Sequence, residues 1–259
     1  MNNVKLLTLF AVAICRALSE PVSATNRIVN GSTVDIVNYP YQVAIIAWPN
    51  TDEEIGYAGG TLIADTWVLS AAHLFRSKRA SHTGVRVGSS EVNEGGTVIE
   101  VAGLSYHPNY NPNNVDNDYV LLRLKQPYRI DPVARAIPMV DDGEVTADGT
   151  VCTASGWGDT MGTGNNDTLQ AVEVPIVNHS QCKKNYAASK LSITDSMLCA
   201  GYDEGMQDSC TGDSGGPLVC QGKLVGVVSW GRKCASKNFY GVYANVAKAR
   251  DWIKRKTGV

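Results

Sequence analysis

From residue 28 onward, short runs of β-branched and aromatic residues alternate with clusters of Gly, Pro, Asn and Asp. Tyr41 to Trp48, Gly60 to Leu69, Val85 to Val87, Thr97 to Val101 and Val120 to Leu124 each read as a strand. So do Val151 to Ala154, Leu169 to Ile176, Pro217 to Cys220, Lys223 to Ser229 and Gly241 to Val246. A helical period is clear only at the end, where Val246, Ala249, Trp252 and Ile253 share a face; a weaker one surrounds Ser180 to Ala187. Many short strands with few helices predict a sandwich or barrel. The length of 259 residues suits two of them, with the Pro- and Asp-rich segment Asp131 to Asp142 as the expected crossing.

The N-terminus breaks this pattern. Leu6 to Ile14 is an apolar run behind Lys5, long enough for the core of a secretory signal and too short to span a bilayer. Cleavage is expected after Ser19, making residues 1–19 a signal peptide. Of seven cysteines, Cys15 then leaves with the signal, and an even six remain, as expected of three disulfides in an exported chain. The composition is 44% hydrophobic and 19% charged, which excludes long disorder, collagen and a coiled coil. With 23 basic against 25 acidic residues the formal charge is −2, which gives no electrostatic case for nucleic acid. A soluble, secreted protein with no nucleic-acid or membrane partner is expected.

The chemistry concentrates in Gly212-Asp213-Ser214-Gly215-Gly216-Pro217. Glycines there let backbone N–H groups approach a substrate carbonyl. A serine hydroxyl is a weak nucleophile until a base takes its proton, so a histidine and an orienting acid must lie elsewhere. Of four histidines, His73 ends an apolar strand beside small residues, in Ser70-Ala71-Ala72-His73. The string Gly212-x-Ser214-x-Gly216 also fits the nucleophile elbow of α/β-hydrolases, but their histidine follows the serine, and here no histidine follows His179.

Arg27-Ile28-Val29-Asn30-Gly31, Ser70-Ala71-Ala72-His73, Asp118-Tyr119-Val120-Leu121-Leu122, Gly156-Trp157-Gly158, Asp208 through Pro217, and Ser229-Trp230-Gly231 follow one another in a specific order. In this the chain resembles the trypsin-like serine proteases of the chymotrypsin superfamily, from Ile28 to its C-terminus. The resemblance implies an all-β fold of two antiparallel six-stranded β-barrels with a C-terminal α-helix. The protease domain would be residues 28–259, with barrels at about 28–137 and 138–245 and the helix at about 246–256. It implies a Ser-His-Asp endopeptidase with Ser214 as nucleophile, His73 as base and Asp118 orienting it. Asp116 is the competing acid, but only Asp118 stands directly before the strand Tyr119 to Leu124. Gly212 and Ser214 would supply the oxyanion-hole N–H groups, and Ser229 would donate to the aspartate.

The same resemblance makes Asp208 the base of a pocket for arginine or lysine, with Ser209 beside it and Gly231 and Gly241 as small wall residues. Ser229-Trp230-Gly231 would offer an edge for the substrate backbone. Residues 20–27 would be a propeptide, cut after Arg27 by a trypsin-like enzyme, so that the new Ile28 ammonium pairs with Asp213. Six cysteines allow fifteen connectivities; the resemblance selects Cys152–Cys220, Cys182–Cys199 and Cys210–Cys234. Protein or peptide substrates, proteinaceous inhibitors and a monomeric state are implied, and no cofactor or metal. A bridge usual beside the base is missing, because Ala58 and Leu74 occupy its two places. Asn30, Asn166 and Asn178 are glycosylation sequons in form. The alternative, a non-catalytic homologue that binds a partner, is expected to lack a triad member, and none is missing here.

Overall fold

The computed structural model describes residues 31–47, 55–75, 80–159, 167–205 and 207–259. The signal segment, the propeptide, Arg27, Ile28, Asn30 and Asn166 lie outside the described residues. The first half holds β1 (Ser32–Thr33), β2 (Gln42–Ala47), β3 (Ile55–Ala64), β4 (Trp67–Ser70), β5 (Thr83–Val87), β6 (Thr97–Tyr106) and β7 (Val120–Leu124). The second holds β8 (Val151–Gly156), β9 (Gln170–Val177), α1 (His179–Ala187), β10 (Met197–Ala200), β11 (Pro217–Cys220), β12 (Lys223–Trp230), β13 (Gly241–Asn245) and α2 (Val246–Thr257).

Two closed antiparallel barrels result, as the strand-rich sequence leads one to expect. The first runs β2-β3-β4-β7-β6-β5. The second runs β9-β10-β13-β12-β11-β8 and closes by β8 pairing with β9, while β1 adds to the outer edge of β9. The segment 131–142 lies in the connection between β7 and β8.

β2 explains how the barrels meet. All but its last residue are buried, so alternation is invisible in its sequence. Val43 and Ile45 point into the first barrel, whereas Ala44 and Ile46 turn outward onto Trp157 and Leu169 of the second half. Between the barrels, Tyr119 is fully buried, and its hydroxyl faces the carbonyls of Ser196 and Asn245 at 3.0 and 2.7 Å. Ser155 of β8 donates to the Gln42 side chain of β2 at 2.7 Å.

α2 forms because Asn245 caps it, accepting from the Ala247 N–H, and Gly258 ends it in the left-handed region. Its apolar stripe, Val246, Ala249, Trp252 and Ile253, is buried, and Lys254, Arg255 and Lys256 sit where the helix dipole favours cations. α1 starts at Asn178, whose carbonyl oxygen accepts from Ser180 and Gln181 and whose amide donates to Asp148. A glycan on Asn178 would have to displace that last bond.

The structure closes three disulfides, Cys152–Cys220, Cys182–Cys199 and Cys210–Cys234, all in the second half of the chain. Each contributes roughly 2 to 4 kcal/mol by restricting the unfolded chain. At the two places of the missing bridge, Ala58 is buried in the first barrel's core and Leu74 packs against that cluster. No helix among the described residues is long and apolar enough to cross a membrane.

Candidate active site

The antiparallel pairing of β4 with β7 sets Ser70 opposite Val120. His73, on a 3₁₀ turn three residues beyond Ser70, and Asp118, two residues before Val120, therefore emerge at the same end of the sheet. Asp118 has no exposed surface. One of its oxygens accepts from the His73 backbone N–H at 2.8 Å. The other lies 2.7 Å from His73 Nδ1 and accepts from Ser229 Oγ at 2.6 Å. A carboxylate can only accept, so the proton sits on Nδ1 and the Nε2 lone pair is left open. Asp116 does something else. Its carboxylate accepts from Thr194 Oγ1, Ser196 Oγ and the Asn117 N–H, fastening the loop before β7 onto the second barrel.

Ser214 lies in the tight loop between Cys210 and β11. Gly59 of β3 donates to the Ser214 carbonyl at 2.9 Å, so the first barrel holds the serine directly by its backbone. Gly215 has φ +85°, and a Cβ there would collide with Ser70 Oγ and the Gly59 carbonyl and lie 3.0 Å from Leu74 Cδ1. Ser214 is thus seated against the turn that carries His73. The Asp213 N–H is spent on the Cys210 carbonyl at 3.0 Å and the Gly215 N–H on Val228 at 2.8 Å. The N–H groups of Gly212 and Ser214 have no acceptor among the described residues. Two free donors in one half-buried loop can receive an anionic oxygen.

Asp213 points the other way, 1% exposed. Its carboxylate accepts from the Gly158 and Cys210 N–H groups, both at 2.8 Å. Among the described residues no cation pairs with it. Burial, only partly offset by those two hydrogen bonds, pushes its carboxyl up to about 6.

Beside the serine opens a cavity of about 280 Å³. Asp208, Ser209, Ser214, Ser229, Trp230, Gly231 and Gly241 all line it, so the structure brings together every pocket residue named from the sequence. Asp208 is its acid, 4% exposed. One carboxylate oxygen accepts from the Ala235 N–H at 3.1 Å, and the other is buried without a hydrogen-bond partner among the described residues. Burial pushes this carboxyl up to about 7. A Cβ on Gly241 would lie 2.6 Å from that unpaired oxygen, whereas one on Gly231 would meet nothing within 4 Å and project into open space. Glycine at 241 keeps the acid reachable, and glycine at 231 keeps the mouth open. The Cys210–Cys234 bridge ties the segment carrying Asp208 to the opposite wall.

Three contributors were not singled out from the sequence. Ser70 donates to the Gly59 carbonyl at 2.8 Å and so orders the strand that grips Ser214. Tyr243 stands 3.3 Å from the Ser209 hydroxyl under the pocket. Lys233 also lines the cavity; its position next to Cys234 is the signal that could have flagged it.

Residues 28–253 match the protein-family model described as Trypsin. The chain is 39% identical over 259 aligned residues to an anionic trypsin of Canis lupus familiaris, covering 98% of this chain and 97% of that one. It is 37% identical to trypsin 5G1 of Aedes aegypti, over 91% of this chain and 87% of that one. It is 43% identical to trypsin-10 of Gadus morhua, over 76% of this chain and 80% of that one.

Proposed function

The chain belongs to the trypsin family of serine endopeptidases, and on that premise we propose that it is a secreted enzyme cleaving after arginine or lysine, made as a precursor and activated by a cut after Arg27. The observation that carries the specificity is the buried Asp208 oxygen with no hydrogen-bond partner among the described residues, inside a cavity that Ser214 also lines. An arginine or lysine side chain supplies the missing donors and charge. An apolar side chain would leave a desolvated, unpaired carboxylate.

The reaction follows from the groups around Ser214. As Ser214 Oγ attacks the substrate carbonyl carbon, His73 Nε2 takes its proton, and Asp118 stabilises the resulting imidazolium. The carbonyl oxygen becomes an oxyanion and is met by the Gly212 and Ser214 N–H groups. Nε2 then hands the proton to the leaving amine, the C–N bond breaks, and an acyl-enzyme remains. Water, giving its proton to Nε2, attacks the acyl carbon, and the serine is released with that proton. No cofactor enters these steps.

Activation is supported by Asp213. Among the described residues this buried carboxylate has no cation; cleavage at Arg27 would create an α-ammonium at Ile28 that can fill this role and order the loop of Gly212. Incubation of Arg27-cleaved protein with an arginine anilide and a serine-directed fluorophosphonate is expected to give turnover and stoichiometric labelling. The Arg27→Gln protein should show neither. Turnover by that uncut variant would refute the activation step, and absence of labelling in cleaved wild type would refute the catalytic reading.

The pH dependence has a definite sign. Pairing with Asp213 raises the Ile28 amine above its ordinary value of about 8. The stabilisation is therefore complete below that value and is lost as pH climbs through the raised one. Activity of the cleaved enzyme should decline at alkaline pH, with the decline reversible and accompanied by loss of fluorophosphonate labelling. A profile flat from about pH 7 to 10 would contradict the pairing of Ile28 with Asp213.

A further inference from the structure

On the β11 side of β12, pairing runs out at Val228, where Gly216 and Gly215 take its last hydrogen bonds. Beyond it the edge of β12, Ser229 and Trp230, has no strand partner on that side among the described residues, directly beside Ser214. A peptide that places one side chain in the Asp208 cavity and its carbonyl at Ser214 extends backwards along this edge, past Gly231. The next two residues of the chain are Arg232 and Lys233, both exposed.

These cations are positioned. The Arg232 guanidinium lies over the Phe239 ring, 4.5 Å from its centroid, and donates to Ser189 Oγ. One hydrogen bond leaves most of its five donors available. Lys233 lines the cavity, and its backbone is held in the left-handed region at φ +56°. Neither has a carboxylate partner among the described residues. Of the acids nearby, Glu204 is paired with Lys237, Asp203 accepts from the Tyr240 hydroxyl, and Asp208 is buried in the cavity below. Lys190, which follows Ser189, is a further exposed cation. On a chain of net charge −2 this is a local concentration of positive charge.

We propose that Arg232 and Lys233 select substrates with acidic side chains three to five residues before the scissile bond, counting the residue in the pocket as the first. Strand geometry of about 3.3 Å per residue brings those positions, and not the second, level with Gly231 and the cations beyond it. The same charges disfavour a run of basic residues leading to the cut. The inference rests on the proposed arginine or lysine pocket and deepens it.

The test uses two fluorogenic peptides that share an arginine at the scissile bond, one with glutamate and one with alanine at the third to fifth positions. Cleaved wild-type enzyme, quantified by fluorophosphonate titration, is expected to show a kcat/KM ratio of roughly tenfold in favour of the acidic peptide at low salt. The ratio should fall towards one in about 0.5 M salt, where screening is short-ranged. It should also fall towards one in the Arg232→Ser, Lys233→Gly double variant, and recover when charge is kept by Arg232→Lys with Lys233→Arg. A loss of packing alone would not follow salt or return with charge. A wild-type ratio of one, or a preference for the alanine peptide, overturns the inference and leaves the pocket assignment standing. If labelled enzyme cuts neither peptide, the arginine pocket falls and the inference with it.

Discussion

Ser214→Ala is expected to lower kcat on an arginine anilide by roughly 10⁵- to 10⁶-fold, the scale seen when a nucleophile that acts as one unit with its base is removed. His73→Ala should cost about as much, and the double variant hardly more, because Nε2 has no use without the hydroxyl whose proton it takes. Asp118→Asn should lose about 10⁴-fold. Its amide can donate to His73 Nδ1, which would stabilise the wrong tautomer and put the proton on Nε2. The informative control is Asp116→Asn. Asp116 accepts from Thr194 and Ser196 and does not face the imidazole, so its loss should lower the unfolding midpoint and leave kcat within a few-fold. Single-turnover kinetics on freshly activated protein, with concentration measured independently of activity, would settle the order. If His73→Ala kept a tenth of the activity, the assignment of the base would be wrong.

Asp208→Asn gives the second large effect, and its two consequences run in opposite directions. Removing one partner of a buried ion pair leaves the substrate guanidinium desolvated, so kcat/KM for arginine substrates should fall by roughly 10²- to 10⁴-fold. Substrates with a neutral side chain at that position should lose far less. Folding without substrate responds the other way. Burial raises the Asp208 carboxyl to about 7, so between the ordinary carboxylate value and that one the native state binds more protons than the unfolded chain. Wild-type stability therefore declines as pH rises from about 4 to about 7, and the Asn variant should lose that part of the slope. Asp213, raised to about 6, contributes in the same direction and persists in both proteins. Denaturant midpoints of the uncut Arg27→Gln protein, with and without Asp208→Asn, across this range would show the difference. A variant with an unchanged slope and intact arginine cleavage would dismiss Asp208 as an ordinary loop acid.

The sequence was most legible where one residue type had one job. α2 carries its apolar stripe, its cap and its terminal cations in plain order, and it begins where the periodicity places it. The run Gly60 to Leu69, in contrast, reads as one strand but is a hairpin, with β3 ending at Ala64 and β4 starting at Trp67. Its turn at Asp65-Thr66 has no glycine or proline to mark it, and both flanks are apolar because Leu62 and Val68 fill the first barrel while Ile63 and Leu69 pack against the second half. β10 escaped notice because Met-Leu-Cys-Ala lacks β-branched residues; its pairing with β13 is what makes it a strand. At the site, the serine loop and histidine were recognisable by motif and order. The meeting of His73 with Asp118 depends on the β4 and β7 register, and the seat of Ser214 on its hydrogen bond from Gly59, which no local pattern encodes. Arg232 and Lys233 look like solvated turn residues in sequence. Only the free edge of β12 beside them gives their charge a direction.

All three disulfides lie within the second barrel, and the sequence has no cysteine between Cys15 and Cys152. Nothing covalent except the main chain therefore joins the half that carries His73 and Asp118 to the half that carries Ser214 and Asp208. The connecting segment contains Lys125, Arg129 and Arg135, three bonds of the type the proposed specificity would attack. A single self-inflicted nick there would leave the halves held only by contacts such as Tyr119 against Asn245 and Gly59 against Ser214. Autolysis would thus end in separation, two fragments resolved without reductant, and the enzyme's working lifetime would be set by how seldom that one segment opens.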